Sequence, residues 1–315
     1  MSKSGVLVVL LWAIACSSAR AAGSDYAEAM RVRRLIRVTE PRALPPGAEV
    51  LSLPVSRGFD QTGTSLCWSY ATLNGLETRL RVAASACAAG ACTVELSRRA
   101  MQYLTIRDRW RLAIQGAASY TGERGVAVDA MRLIAEGGLV AFADHTDVTD
   151  AYGSFDIAQA VDAAPDLDAK YRALDGGLAR VYGALPERTH FEATELTPAA
   201  LAARVTQGLT WESYAVATDS VEGYRPHPDP DARPGVRSWF EPAAKLVERI
   251  HQALRAGEPV ELTIGGHCVL IRGGAYDAAG HPLRYDIKDS YPDYFYAADP
   301  ARIMRSLVEV TTRRP

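Results

Sequence analysis

Helical and strand-like patterns are sorted along this chain rather than interleaved, and that sorting limits the folds open to it. Three apolar runs stand near the C-terminus: Pro259 to Ile264, His267 to Ala275 and Leu283 to Lys288. Gly265-Gly266 and Ala278-Ala279-Gly280-His281-Pro282 separate them, which is the punctuation of an antiparallel meander. Leu307 to Thr311 offers a further edge strand. Upstream of Gly257 the apolar period is helical instead. Tyr70, Leu73, Leu76 and Leu80 follow Cys67. Ala100, Met101, Leu104 and Trp110 follow Leu96-Ser97, and Val126, Ala130, Leu133 and Ile134 precede the stop at Gly137-Gly138. Asp166 to Tyr182 carries Leu167, Tyr171, Leu174 and Val181. Thr197-Pro198 reads as an N-cap with Pro at the first helical position. Phe240, Leu246, Val247, Ile250 and Leu254 make a last amphipathic helix. Helices first and strands last predict an α+β arrangement, not alternating βα units.

The residues that carry chemistry lie at the ends of these elements. Cys67 opens the first helical run, in Gln61-Thr62-Gly63-Thr64-Ser65-Leu66-Cys67-Trp68. A thiol attacks only as the thiolate, and unpaired N–H groups at a helix start stabilise that anion. Gln61, in the loop before it, is placed to donate its amide to an oxyanion. His267 begins a strand after a Gly-Gly turn and suits a general base and acid. Asp289 follows the run ending at Lys288 and would orient the imidazole, with Tyr291 shielding that bond. Its competitor, Asp286, falls on the opposite face by alternation. His145, His190 and His251 lack strand context near a Gly-rich turn, and His227 and His281 sit in connections. Glu248 and His251 share a helix face but have no further partners for a metal. No serine elbow, phosphate loop or Cys-x-x-Cys pair is present. No cofactor and no metal are needed.

The other cysteines have blander readings. Cys87 and Cys92 read as a local disulfide. Cys268, next to His267, is expected on the opposite face of its strand, as a small buried residue.

These motifs resemble the papain-like cysteine peptidases. Gln61 and Cys67-Trp68 have that family's oxyanion-hole and nucleophile spacing. Glu77 resembles a carboxylate on the family's central helix, where its role is structural. Gly122 to Val140 resembles the turn and helix that frame the substrate cleft, and Gly257-Glu258-Pro259-Val260 the lead into the strand half. Gly266-His267-Cys268-Val269-Leu270 and Lys288-Asp289-Ser290-Tyr291 resemble its His-Ala-Val and Lys-Asn-Ser-Trp segments, with Asp289 in place of Asn. The pattern is most similar to the bacterial, bleomycin-hydrolase-like branch. It departs from the family where Val260 to Ile264 runs almost directly into His267.

The resemblance implies a papain-like α+β fold, in which a helical half with a central nucleophile helix precedes an antiparallel β half. Residues 1–21 read as a signal peptide, with Lys3, the apolar run Val6 to Ala15 and small residues at Ala19-Arg20-Ala21. An alternative makes Cys16 a lipid-attachment cysteine. Residues 22–50 form an N-terminal arm or short pro-segment, and 51–315 the catalytic domain, with a helical insertion about 144–222. The expected function is an exported (periplasmic or secreted) peptidase acting on peptide or protein substrates through Cys67, His267, Asp289 and Gln61. A transglutaminase-type acyl or amide transferase and a non-catalytic peptide-binding module are the alternatives. The net charge of −2 gives no argument for nucleic acid, and no run is long enough for a stable membrane span. Oligomeric state stays open.

Overall fold

The structure is a computed structural model that describes residues 26–40, 43–84, 95–117, 122–146, 154–206, 210–216 and 236–314. For 154–155, 210–216, 236–241 and 313–314 only the backbone is described. The expected signal peptide with Cys16, the expected pairing of Cys87 with Cys92 and the connection with His227 lie outside the described residues.

The arm begins with a helix, α1, over residues 26–36, and β1 follows at Glu49–Ser52. The helical half holds α2 (Cys67–Ala84), α3 (Arg98–Ile114) and α4 (Ala127–Gly137). Next come α5 (Ser154–Asp162), α6 (Leu167–Tyr182), the short strands β2 (Thr189–Phe191) and β3 (Thr194–Leu196), and α7 (Pro198–Thr206). The remainder is β4 (Thr210–Val216), β5 (Val236–Glu241), α8 (Ala243–Arg255), β6 (Val260–Ile264), β7 (His267–Tyr276), β8 (Pro282–Lys288), β9 (Phe295–Ala298), α9 (Pro300–Ser306) and β10 (Leu307–Arg314).

Local chemistry sets several of these ends. Ser97 caps α3 by accepting from Ala100 N at 3.0 Å, and Asp166 caps α6 through Ala169 N at 2.7 Å. Gly138, at φ 84°, closes α4 in the left-handed region that favours glycine. In α2 the residues Trp68 to Thr78 are buried on every side, as befits a helix passing through the middle of a protein rather than lying on it.

One eight-stranded sheet runs in the order β5-β4-β10-β6-β7-β8-β9, with β1 also paired to β7. All of its pairings are antiparallel except β4 with β5. The meander β6-β7-β8 is as expected. Leu307–Thr311 is not at an edge: β10 lies between β6 and β4. Position in a sheet depends on pairings far away in sequence, here with β4, and a strand's own pattern does not contain it. The segment 144–222, expected to be helical, holds α5, α6 and α7 but also β2, β3 and β4. Strands of three residues are too short to display a period. Phe240 belongs to β5, not to α8.

The sheet is covered on both faces. On one, α2 packs against β7 and β6. On the other, Val32 and Ile36 of α1 and Leu246, Ile250 and Leu254 of α8 meet Val260, Leu262, Val269, Ile271, Ile287 and Val310. The arm is therefore part of the core of the strand half. A second core joins α2, α3, α4 and α7 through Leu73, Leu76, Met101, Leu104, Leu133 and Leu201, and a third joins α3, α5 and α6 through Trp110, Ile157, Leu174 and Leu178.

Candidate active site

Cys67 is the first residue of α2 and is partly exposed. Tyr70 N already bonds to Leu66 O at 3.0 Å, so the helix has begun by then. The N–H groups of the first turn lie N-terminal to that bond and have no intrahelical acceptor. The loop before Cys67 is tied down at several points. Trp68 Nε1 donates to Glu123 O at 2.9 Å, and Ser65 N to Glu123 Oε2 at 3.1 Å. Gln102 holds the other oxygen of Glu123 at 2.6 Å. A Cβ on Gly125 would meet the Trp68 ring at 2.7 Å, so glycine is required for this close approach.

Gln61 is buried. Its Nε2 donates to Thr64 O at 2.7 Å, and its Oε1 accepts from the Ser290 hydroxyl. Gln61 N also bonds to Ser290 O at 2.8 Å. An amide NH2 carries two hydrogens, and Thr64 takes one. The side chain is thus clamped between the cysteine loop and the segment that carries Asp289.

His267 opens β7 after a tight hairpin. Its pairing with Ile264 leaves Gly265 and Gly266 as a two-residue turn, and Gly265 has φ 56°. A II′ turn requires this at its first position. The direct run from β6 into His267 is therefore a hairpin, and the family's usual crossover is not needed to place the imidazole. His267 Nε2 lies 2.8 Å from Asp289 Oδ1, and both residues are buried. Cys67 also interacts with the ring and favours its charged form.

Asp289 is fixed by three further contacts. Ser290 N donates to Oδ1 at 2.6 Å, Tyr296 Oη donates to Oδ2 at 3.0 Å, and Asp289 N bonds to Tyr294 O at 2.7 Å. Tyr291 is buried, with its ring centroid 5.7 Å from that of His267. Tyr26 of α1 packs edge-on against Tyr291 at 5.2 Å. Asp286 is turned elsewhere and pairs with Arg284 at 3.0 Å.

Electrostatics follow from this packing. Burial opposes a charge on His267, but the Asp289 carboxylate and Cys67 outweigh it and raise its pKa to about 10. A hydrogen bond from Cys268 holds Cys67 well below the ordinary thiol range, with the bond and charge of His267 adding to it against the cost of burial. Both shifts favour the thiolate–imidazolium form of the pair.

Cys268 is a small buried residue, as expected. Alternation along β7 is obeyed: Val269 and Ile271 join the core on the α1 and α8 side, while Cys268 joins the core around α2. Cys67 packs against that same core, so the two cysteines share one cluster. The pKa of Cys268 is raised, first by its bond to Cys67 and then by burial. Thr263 Oγ1, its cross-strand neighbour, lies 3.5 Å from its sulfur.

Glu77 lies beneath the site. It is fully buried and pairs with Arg98, whose Nη2 is 2.9 Å from Glu77 Oε2. It also accepts from Leu96 N at 2.7 Å and from the Ser56 hydroxyl. Lys288 Nζ donates to that same hydroxyl at 2.5 Å. Burial lowers the Lys288 pKa to about 7, against the pull of Glu77. This network joins α2, the start of α3 and the residue next to Asp289.

The remaining described histidines are engaged elsewhere. His145 bonds to Tyr182 O at 2.9 Å, and His190, which lies in β2, contacts Asp144 at 2.8 Å. His251 is 3.1 Å from Glu49, and His281 is 3.1 Å from Asp277. Glu248 bonds to Gln252 at 3.0 Å, not to His251. No group of three or more His, Cys, Asp or Glu that could hold a metal is present among the described residues.

With α2 set against the sheet and His267 bonded to Asp289, the chain can be compared with known structures. PepW from Lactobacillus rhamnosis HN001 superposes with a TM-score of 0.60 at 13% identity, over 99% of this chain and 92% of that one. The fold is papain-like. The digestive procathepsin L 3 of Tenebrio molitor larval midgut is also similar (TM-score 0.44, 13% identity, 92% of this chain and 79% of that one). So is the bromelain protease of Ananas comosus (TM-score 0.39, 11% identity, 82% and 93%). No family model and no curated protein matches the sequence. No helix among the described residues is long and apolar enough to cross a membrane.

Proposed function

We propose that this papain-like protein is a cysteine peptidase that hydrolyses peptide bonds through Cys67, His267, Asp289 and Gln61. The observation that carries the reading is His267, buried and bridging the partly exposed Cys67 thiol and the Asp289 carboxylate. The Cys67 thiolate attacks the scissile carbonyl carbon. The second N–H of Gln61 Nε2 and the backbone N–H of Cys67 receive the oxyanion. His267 gives its proton to the departing amine, and the acyl group stays on sulfur as a thioester. His267, now neutral, takes a proton from water, whose oxygen attacks the thioester and releases the acid. Asp289 keeps the imidazole turned toward Cys67 and stabilises its charged form. The turn fixed by Trp68 and Glu123 forms a wall for the substrate. Residues 1–21 serve as an export leader in this reading, and N-terminal sequencing of the protein from its producing cell would detect cleavage near Ala22.

The test is peptide hydrolysis by the purified chain and by Cys67→Ala. Loss of the nucleophile should cost on the order of 10⁶ in kcat with an unchanged circular dichroism spectrum. Hydrolysis that survives in Cys67→Ala refutes the assignment. So does a product that is an amide of an added amine rather than a free acid.

A further inference from the structure

The site holds a second thiol that the proposed hydrolysis does not use. Cys268 is buried on a strand that α2 packs against. Cys67, at the start of α2, packs against the cluster that holds Cys268, and each thiol shifts the pKa of the other. A reactive thiolate with a neighbouring thiol has the layout of an oxidation site with a resolving partner.

We propose that Cys268 is a resolving cysteine, which captures oxidised Cys67 as a reversible Cys67–Cys268 disulfide when the protein meets a peroxide. The inference rests on the reading of Cys67 as a reactive thiolate, but not on which carbonyl that thiolate attacks. In the first step the Cys67 thiolate attacks one oxygen of hydrogen peroxide. The O–O bond breaks, Cys67 becomes a sulfenic acid, and the departing hydroxide takes the His267 proton and leaves as water. In the second step the Cys268 sulfur attacks the Cys67 sulfur, the S–O bond breaks, and the hydroxyl leaves as water with the Cys268 proton. Two thiols are oxidised, one peroxide is reduced, and two waters form. A dithiol reductant reverses the linkage by exchange.

The two thiols differ in a way that suits this order. The charge on Cys67 helps to keep Cys268 protonated, so only Cys67 is reactive at first. Oxidation to the neutral sulfenic acid removes that charge, and Cys268 is then freer to attack. The steps of hydrolysis form no bond to the Cys268 sulfur, whereas rescue from over-oxidation requires a thiol beside Cys67. Without it, a sulfenic acid exposed to more peroxide advances to the sulfinic acid, which a thiol reductant does not reverse.

The experiment uses the full chain, reduced and then treated with a small molar excess of hydrogen peroxide. Free thiols are alkylated, and the digest is analysed by mass spectrometry. The expected result is a peptide pair joining Cys67 to Cys268 that disappears with dithiothreitol. Activity should be lost and regained in parallel. In Cys268→Ser the same treatment should leave Cys67 as sulfinic acid, with activity not regained. Alkylated Cys268 beside sulfinic Cys67 in the unsubstituted chain would overturn the proposal, as would full recovery in Cys268→Ser. The linked peptide needs no activity to be detected. Linkage without hydrolysis sinks only the peptidase reading, and hydrolysis without linkage sinks only the resolving cysteine.

Discussion

Asp289 is an unusual choice at its position, because the resembling family places Asn there and the charge has consequences. The carboxylate is the main reason the His267 pKa rises to about 10. The alkaline limb of kcat/KM should therefore lie near pH 10, where the imidazolium is lost. Asp289→Asn keeps the hydrogen bond and removes the charge, so activity should persist while the alkaline limb moves to lower pH. Asp289→Ala removes the orienting group as well and should lose about 10⁴ in kcat. A pH–rate profile of the three proteins checks both. Gln61→Ala should lower kcat by about 10²–10³ with little change in fold, read from steady-state kinetics alongside circular dichroism. At this scale Cys67, His267, Asp289 and Gln61 could be singled out as candidates, because each has a motif around it, and His267 does meet Asp289. Tyr296 and Ser290 could not. Tyr296 reaches Asp289 from β9 and Ser290 reaches Gln61 from beyond β8. A Tyr in a short strand gives no sign of the carboxylate it will meet. Cys268 was legible as to face, but what packs on that face was not.

The elements that carry the site are joined from below by a buried charge network. Glu77 of α2, Arg98 of α3 and Lys288 at the end of β8 share it through Ser56. Glu77→Ala leaves the buried Arg98 charge with Asn74 and Leu96 O but without its carboxylate, which costs about 3–5 kcal/mol. Urea denaturation should show that loss, and the His267 and Asp289 alignment should suffer with it because Lys288 adjoins Asp289. Helix boundaries were largely readable, since caps such as Ser97, Asp166 and Thr197 announce themselves. The sheet was less so. That β10 runs between β6 and β4, and that β1 joins β7 beside β6, are matters of long-range pairing. Gly273 and Gly274 make room for the strands on either side of β7. A Cβ at Gly273 would meet Leu51 O of β1 at 2.3 Å, and one at Gly274 would meet Arg284 O of β8 at 2.7 Å. They allow neighbouring backbones to close in on β7.

For the whole molecule, buried titrating groups make stability depend on pH, and two of them oppose each other. His267 has a raised pKa, so its contribution is complete below pH 6.5 and is lost as pH rises through about 10. Lys288 has a lowered pKa, from 10.5 to about 7. The unfolded chain then binds the extra proton across that window, so stability from this residue rises with pH. Lys288→Met removes the rising part. Urea melts from neutral to alkaline pH should then show stability falling more steeply with pH than in the unsubstituted chain. The order of helices before strands was enough to read the α+β class. Packing of the arm into the strand half was not readable, because Val32 and Ile36 look like any short amphipathic stretch.

The proposed peptidase depends on a Cys67 thiolate held by Cys268 and His267. Its alkylation rate by iodoacetamide, followed at Cys67 by mass spectrometry across pH, tests this most directly. A thiol held well below its ordinary pKa should react at a nearly constant rate from alkaline pH down through neutrality and into the acid range. A rate that falls about tenfold for each pH unit below the free thiol value of about 8.5 would mean that Cys67 is an ordinary cysteine, and the account would fail.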